Sequence, residues 1–275
     1  MLWRCGAHVF DCTRSIVMGV LNVTPDSFSD GGLWAGPDAA VAHGLELAAA
    51  GAAIVDVGGE STRPGAEPVA LEEEMRRVVP VVGRLVDAGL CVSVDTRRAP
   101  VASAAIEAGA SIVNDVTAAS DRDMFAVVRG GDAGVVLMHM KGEPRSMQDA
   151  PHYVDVVGEV AAYLEGRVEA AASSGVDREA VAVDPGFGFG KTAEHNLALL
   201  AATDRLAALG RPLVIGTSRK SMFAVLAGLG VRERVEATLA TTVWTLLAGA
   251  TIVRVHDVEE AVQAVAVVDG ARGFW

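Results

Sequence analysis

An α/β barrel is the fold predicted by this sequence of 275 residues, and three observations predict it. Eight short apolar, β-branched runs recur along the chain, at 16–23, 53–57, 91–94, 111–116, 134–138, 181–183, 212–216 and 251–255. These runs are apolar without alternation, which marks parallel strands covered on both faces. Between them lie longer stretches rich in Ala, Leu, Glu and Arg, at 38–50, 71–88, 100–108, 121–129, 154–174, 193–209, 232–247 and 258–269. Eight strand–helix pairs is the count of a (β/α)8 TIM barrel. An open doubly wound sheet, with about five to seven strands as a rule, stays as the second reading. No linker, low-complexity tract or charge run breaks the series, so residues 1–275 are expected to form a single domain.

Taken in order, the chain opens with residues 2–13, expected as a short hairpin-like extension ahead of the first strand. From there every strand ends in polar residues. The first ends in Asn22-Val23-Thr24-Pro25-Asp26-Ser27-Phe28, and the second carries Asp56 and then Gly58-Gly59-Glu60-Ser61-Thr62-Arg63-Pro64-Gly65. The third ends in Asp95-Thr96, the fourth in Asn114-Asp115, the fifth in Met138-His139 and the sixth in Asp184. The seventh runs into Thr217-Ser218-Arg219-Lys220-Ser221, and the eighth holds Arg254 and His256-Asp257. Any one of these has an ordinary explanation as the N-cap of the next helix. Capping does not account for all eight, because Asp56, Asn114, Asp184 and Arg254 fall within or directly against apolar runs, where a polar group needs a partner. In a barrel the C-terminal strand ends carry the site.

The totals exclude several classes. A net charge of −12 argues against general binding to nucleic acid or an anionic membrane, while leaving room for a small anionic substrate held by a few cations. No leader with a continuous apolar core begins the chain, and the uncharged run 237–253 is interrupted by threonines and Gly249, which suits a buried helix leading into a strand. Cys5, Cys12 and Cys91 are odd in number and lack metal spacing, so a reduced, cytoplasmic protein is expected.

The stretch Asp184-Pro185-Gly186-Phe187-Gly188-Phe189-Gly190-Lys191-Thr192 follows the sixth strand. Pro185 stands where a P-loop needs its first glycine, and Lys191 stands where a dinucleotide fingerprint needs its third. What remains is a loop whose glycines allow close backbone approach, with Phe187 and Phe189 as flat walls. Asp95, Asn114 and Asp184 supply acceptors and an amide suited to a heterocycle with amino and amide groups. Arg63, Lys220, Arg254 and His256 supply positive charge for an anion. Asn22 offers an amide oxygen to a hard cation such as Mg2+, which keeps waters and shares ligands with substrate phosphates. No His/Cys cluster reads as a zinc site, no nucleophilic triad is recognisable, and no carboxylate is an obvious general base. Leaving-group departure with charge stabilisation fits this inventory.

The segments 18–32, 55–65, 93–96, 114–116, 184–192, 218–221 and 254–258 together resemble the dihydropteroate synthase family, in the family's order and across nearly the whole chain. The resemblance implies a (β/α)8 barrel of folate biosynthesis that joins 6-hydroxymethyl-7,8-dihydropterin diphosphate to 4-aminobenzoate with Mg2+, releasing pyrophosphate. It implies pterin binding by Asp95, Asn114, Asp184 and Lys220, with Met138 and Arg254 on the faces of the ring. It puts Asn22, Arg63, Arg254 and His256 around the diphosphate, with Asn22 on the metal. Thr62, Pro64, Phe189, Lys220 and Ser221 would shape the aminobenzoate pocket, with Phe28 as a further wall. A homodimer and sulfonamide targeting are also family expectations. His139 and His195 match no role and are read as packing or surface groups, and Lys191 as a capping or pairing residue. Two rival readings stay open: the pterin-binding domain of a corrinoid methyltransferase, which has no use for the Ser-Arg-Lys segment, and a binding-only homologue, which should lack some of Asn22, Arg63, Lys220 or His256.

Overall fold

A computed structural model describes residues 1–24, 37–61, 65–143 and 145–273. Two short antiparallel strands, β1 (Leu2–Cys5) and β2 (His8–Asp11), form the expected hairpin. The barrel strands follow as β3 (Ile16–Asn22), β4 (Ile54–Gly58), β5 (Val92–Asp95), β6 (Ile112–Asp115), β7 (Gly134–Met138), β8 (Val181–Asp184), β9 (Val214–Ile215) and β10 (Ile252–Val255). All neighbouring pairs are parallel, in the order β8-β7-β6-β5-β4-β3-β10-β9. A parallel bridge between Val183 and Leu213, with the Val183 N–H donating to Pro212 O at 2.9 Å, brings β8 and β9 together and closes the ring.

The apolar runs prove to have two different faces. Outward residues such as Val55, Val57, Val113, Leu137 and Val253 belong to the core shared with the helices. Inward residues Met18, Ile54, Ile112, Val136, Ala182, Val214 and Ile252 fill the lower barrel. Trp3, from β1, is fully buried in that inner cluster and plugs the N-terminal end, its indole N–H donating to Ala180 O at 3.0 Å. Higher along the same inward rows the residues turn polar, and the site lies there.

The helices are α1 (Pro37–Ala49), α2 (Leu71–Asp87), α3 (Ala99–Glu107), α4 (Met124–Gly130), α5 (Val156–Ser173), α6 (Ala193–Ala201), α7 (Thr203–Ala207), α8 (Met222–Ala227), α9 (Val235–Leu247) and α10 (Val258–Arg272). Two details depart from the sequence reading. The expected helix at 193–209 breaks at Ala202, where φ −106° and ψ 26° leave helical space and the Thr203 hydroxyl bonds back to Leu200 O. A short helix, α8, precedes the expected one after β9, ended by Gly228 at φ 69°. Among the described residues no helix is long and apolar enough to cross a membrane. The three cysteines are free and buried.

Candidate active site

Strand register explains why residues far apart in sequence meet. Asn22 pairs with Gly58, Gly58 with Asp95 and Asp95 with Asn114, so these positions share one level at the C-terminal end of the barrel. Asp56 and Ser93 pair one step below. From β10 the Arg254 side chain reaches across, donating from Nε to Asp56 Oδ2 at 2.6 Å and from Nη2 to Asp95 Oδ2 at 2.7 Å. Asp56 Oδ2 also accepts from Asn114 Nδ2 at 2.9 Å, while its Oδ1 is buried without a partner, as is Ser93 Oγ. One cation thus serves two buried carboxylates, and the ionised triad carries an excess of one negative charge. Burial pushes the Asp95 carboxyl up to about 7, with Arg254 opposing and the like charge of Asp56 adding to the rise. Burial alone would lower Arg254, but Asp56 and Asp95 overcome it and hold the guanidinium charged.

The glycine-rich loop adds the facing wall. Gly186, Gly188 and Gly190 have φ of 69°, 78° and 64°, a region that disfavours side chains. What their bare backbones approach is other protein. A Cβ on Gly186 would lie 1.9 Å from His139 O, one on Gly190 would lie 2.2 Å from Lys141 O, and one on Gly188 would crowd the Lys220 stem at 3.2 Å. Asp184 accepts from the Gly186 N–H at 2.7 Å, and burial holds its carboxyl above the usual range. The Lys220 ammonium sits 4.2 Å from the centre of the Phe189 ring, a cation–π contact.

Asp95, Asn114, Met138, Asp184, Phe189, Lys220 and Arg254, all singled out from sequence, line one cleft of about 330 Å³, open mouth included. Val116, Gly186, Phe187 and Gly216 complete it. Asn22 ends β3 at the same end of the barrel but is not on this wall. His256 is nearby, its Nδ1 3.0 Å from Ser218 Oγ. Burial and the neighbouring Arg254 push its imidazole down to about 3, a value that an anion beside it would raise. Ser221 stands just before α8, exposed, with no capping bond from its side chain. Arg219, at φ 56°, pairs with Asp257 (Nε–Oδ2 3.0 Å) and ties the loop after β9 to the loop after β10. Phe28, Thr62, Arg63 and Pro64 lie outside the described residues. His139 and His195 pack behind the loop, the latter in a capping box with Thr192.

Sequence reasoning noticed Asp56 as a carboxylate inside an apolar run but gave it no role; its partners are 58 and 198 residues away. Lys191, read as a capping or pairing residue, does bond the loop carbonyls of Gly186 and Phe189, but from a buried position that sequence reasoning did not foresee.

The pattern of the family described as pterin binding enzyme matches residues 18–256. The chain is 44% identical over 260 residues to dihydropteroate synthase of Escherichia coli (strain K12), covering 94% of this chain and 92% of that one. It resembles the structure of Xanthomonas albilineans dihydropteroate synthase with 4-aminobenzoic acid, at 45% identity and TM-score 0.93, over 98% of both chains. The same enzyme in complex with 7,8-dihydropteroate superposes with TM-score 0.90 at 42% identity, over 98% or more of each chain. A barrel with this cleft, matched over nearly its whole length, belongs to the dihydropteroate synthase family of pterin-binding enzymes.

Proposed function

We propose that this chain condenses 6-hydroxymethyl-7,8-dihydropterin diphosphate with 4-aminobenzoate, giving 7,8-dihydropteroate and pyrophosphate. The observation that carries this reading is the cleft itself: Asp95, Asn114, Asp184, Lys220 and Arg254 converge on it in a chain whose relatives have that activity. The carboxylates and the Asn114 amide match the donors and acceptors along the edge of a pterin. Met138 and the Arg254 guanidinium lie against the faces of the ring. Asn22, Arg63, Arg254 and His256 receive the diphosphate. Phe28, Thr62, Pro64, Phe189, Lys220 and Ser221 shape the aminobenzoate pocket. A solved relative with 4-aminobenzoic acid and another with 7,8-dihydropteroate support both halves of the site.

In the reaction the methylene C–O bond breaks, its electron pair leaves with pyrophosphate, and the amine nitrogen forms the new C–N bond and sheds a proton. The positive charge left on the methylene spreads into the dihydropterin. The excess negative charge of the Asp56–Arg254–Asp95 triad lies where it stabilises that cation. Among the described residues no group of three His, Cys, Asp or Glu is arranged to hold a metal. We take Asn22, whose amide oxygen is a hard donor, as the protein ligand of a Mg2+ that would arrive with the diphosphate and keep waters. Bound there, it would neutralise the departing pyrophosphate.

The reading extends to a homodimer in the cytoplasm. Exposed Val225, Leu226, Trp244 and Leu247 on α8 and α9 supply an apolar face for a second copy, and three free thiols suit a reducing compartment. A single-turnover assay tests the central claim. With Mg2+ and both substrates, the chain should form dihydropteroate and pyrophosphate in equal amounts, and no dihydropteroate when 4-aminobenzoate is omitted. A folded chain that binds pterin but yields no dihydropteroate would sink it and favour a binding-only role.

A further inference from the structure

Behind the glycine-rich loop lies a buried cation that touches neither the cleft nor any carboxylate. Lys191 is 3% exposed, and its ammonium faces four acceptors: Gly186 O at 2.9 Å, Phe189 O at 3.0 Å, His139 Nδ1 at 2.9 Å and His139 O at 3.3 Å. An ammonium has three protons and no lone pair, so it donates to the three nearer acceptors, with His139 O at most sharing a proton, and His139 must present an unprotonated Nδ1. Burial pushes His139 down to about 3, so its ring is neutral and the ammonium selects the tautomer with Nδ1 free. Burial likewise pushes Lys191 down to about 7. A charge desolvated this far needs fixed dipoles in place of water. The left-handed glycines provide them by turning the Gly186 and Phe189 carbonyls to the same point, which joins the loop to the end of β7.

Each of those carbonyls belongs to a peptide that holds a residue of the cleft. The Gly186 N–H is donated to Asp184 Oδ1 at 2.7 Å, so the same residue is bonded to Lys191 at its C=O and to Asp184 at its N–H. Phe189, held through its C=O, carries the ring beneath Lys220. We propose that Lys191 is a positioning residue whose ammonium acts as an internal monovalent cation, setting Asp184 and Phe189 for the pterin without touching substrate. This rests on the reading of those two residues as substrate contacts.

The test compares wild type, Lys191→Ala and Lys191→Met, using calorimetry with free pterin and steady-state kinetics. Lys191→Ala, folded by circular dichroism, should bind pterin at least tenfold more weakly, with KM for the pterin diphosphate rising more than kcat falls. The cavity left by the side chain should accept a small cation, so ammonium or methylammonium chloride restores affinity and tetramethylammonium at equal ionic strength does not. Lys191→Met fills the cavity and should gain nothing from ammonium. Unchanged affinity in folded Lys191→Ala, or equal response to all three salts, overturns the proposal. Failure of wild type itself to bind pterin would fall on the proposed function instead. Should Lys191→Ala not fold, wild type labelled with 15N at lysine side chains decides. Saturating pterin shifts the Lys191 ε resonance under the proposal, and leaves it unmoved if the cation only fills the core.

Discussion

Replacing Asp56 by asparagine should move the acid limb of kcat/KM to lower pH by roughly one to two units. Asp56 and Asp95 bond to neighbouring nitrogens of one guanidinium, so they repel each other across Arg254. Two like charges about 5 Å apart at an effective dielectric of about 20 interact by about 3 kcal/mol, roughly two pH units before Arg254 screens them. Wild-type Asp95, raised to about 7, is half protonated near neutrality and stabilises a cation only once its proton is gone, so activity climbs through that pH. The Asp56→Asn variant keeps a side-chain oxygen for Arg254 and Asn114 but removes the repulsion, and Asp95 loses its proton earlier. Asp184, raised by burial, and Lys191, lowered by burial to about 7, also titrate near this window, but they do so in both enzymes, so the difference between the two profiles reports Asp56. Substrate ionisations are common to both enzymes and cancel in the comparison. Stability gives a second readout: a carboxyl raised from 3.8 to about 7 stabilises the fold fully below the unfolded value, and that contribution is lost as pH rises through about 7. Asp56→Asn should show a smaller loss across that window. Superimposable profiles for the two enzymes would refute Asp56 as a contributor to the Asp95 shift and leave burial alone as its cause.

Other substitutions separate the parts of the site. Arg63→Ala should cut turnover by about 2–4 kcal/mol of transition-state stabilisation while free pterin binds as before, and weaker pterin binding by calorimetry would move Arg63 into the pterin pocket. Asp184→Ala should weaken both free pterin and its diphosphate, with Asp184→Asn milder; unchanged affinity in the alanine variant would reduce Asp184 to a loop support. Gly186→Ala must displace the His139 carbonyl and adopt a left-handed φ, so pterin affinity should collapse with a stability loss of more than about 1 kcal/mol by urea titration, whereas Gly188→Ala shares the left-handed strain but meets only the movable Lys220 stem and should cost less. Trp3→Ala should cost about 3–5 kcal/mol in the same titration and leave KM values nearly unchanged, because the plug lies at the far end of the barrel. A large KM change there would mean that the lower core sets the site.

The barrel was readable because parallel strands buried on both faces need continuous apolar runs, and all eight runs became strands. The same feature concealed what mattered one level down. Inward and outward positions look alike while both are apolar, so the switch at Asp56, Ser93 and Asn114 registered as polar residues out of place rather than as one layer. Their grouping depends on register between strands, which no local pattern encodes. The burial of His256 beside Arg254 was not legible because residue type carries no information on burial. Lys191 was read as a capping or pairing residue near the loop, and its bonds to Gly186 O and Phe189 O are of that kind; only its burial was not legible. The break at Ala202 and the short α8 are tertiary outcomes, set by packing around β9, whose two residues make it the shortest barrel strand.

The arrangement of charge bears on the order of bond breaking. A concerted displacement would gain from a base beside the attacking amine, yet an arylamine is already unprotonated at neutral pH, and the imidazole of His256 is engaged with Ser218 Oγ. The strong electrostatics lie deeper instead. Asp56, Asp95 and Asp184 put three buried carboxylates in or beneath the inner cleft against the cations Arg254 and Lys220, so once Asp95 and Asp184 are ionised negative charge predominates where the pterin carbon would turn positive. Asn22 and His256, two of the residues assigned to the diphosphate, stand at the C-terminal ends of β3 and β10, where they would assist its departure. A gradient of this sign stabilises the separated cation and pyrophosphate more than it stabilises the neutral ester bond that joins them. Only interactions stronger in the transition state accelerate the step, and here that condition is met by charge separation before the amine arrives. A secondary deuterium effect near unity at the methylene, with chemistry rate-limiting, would contradict that order.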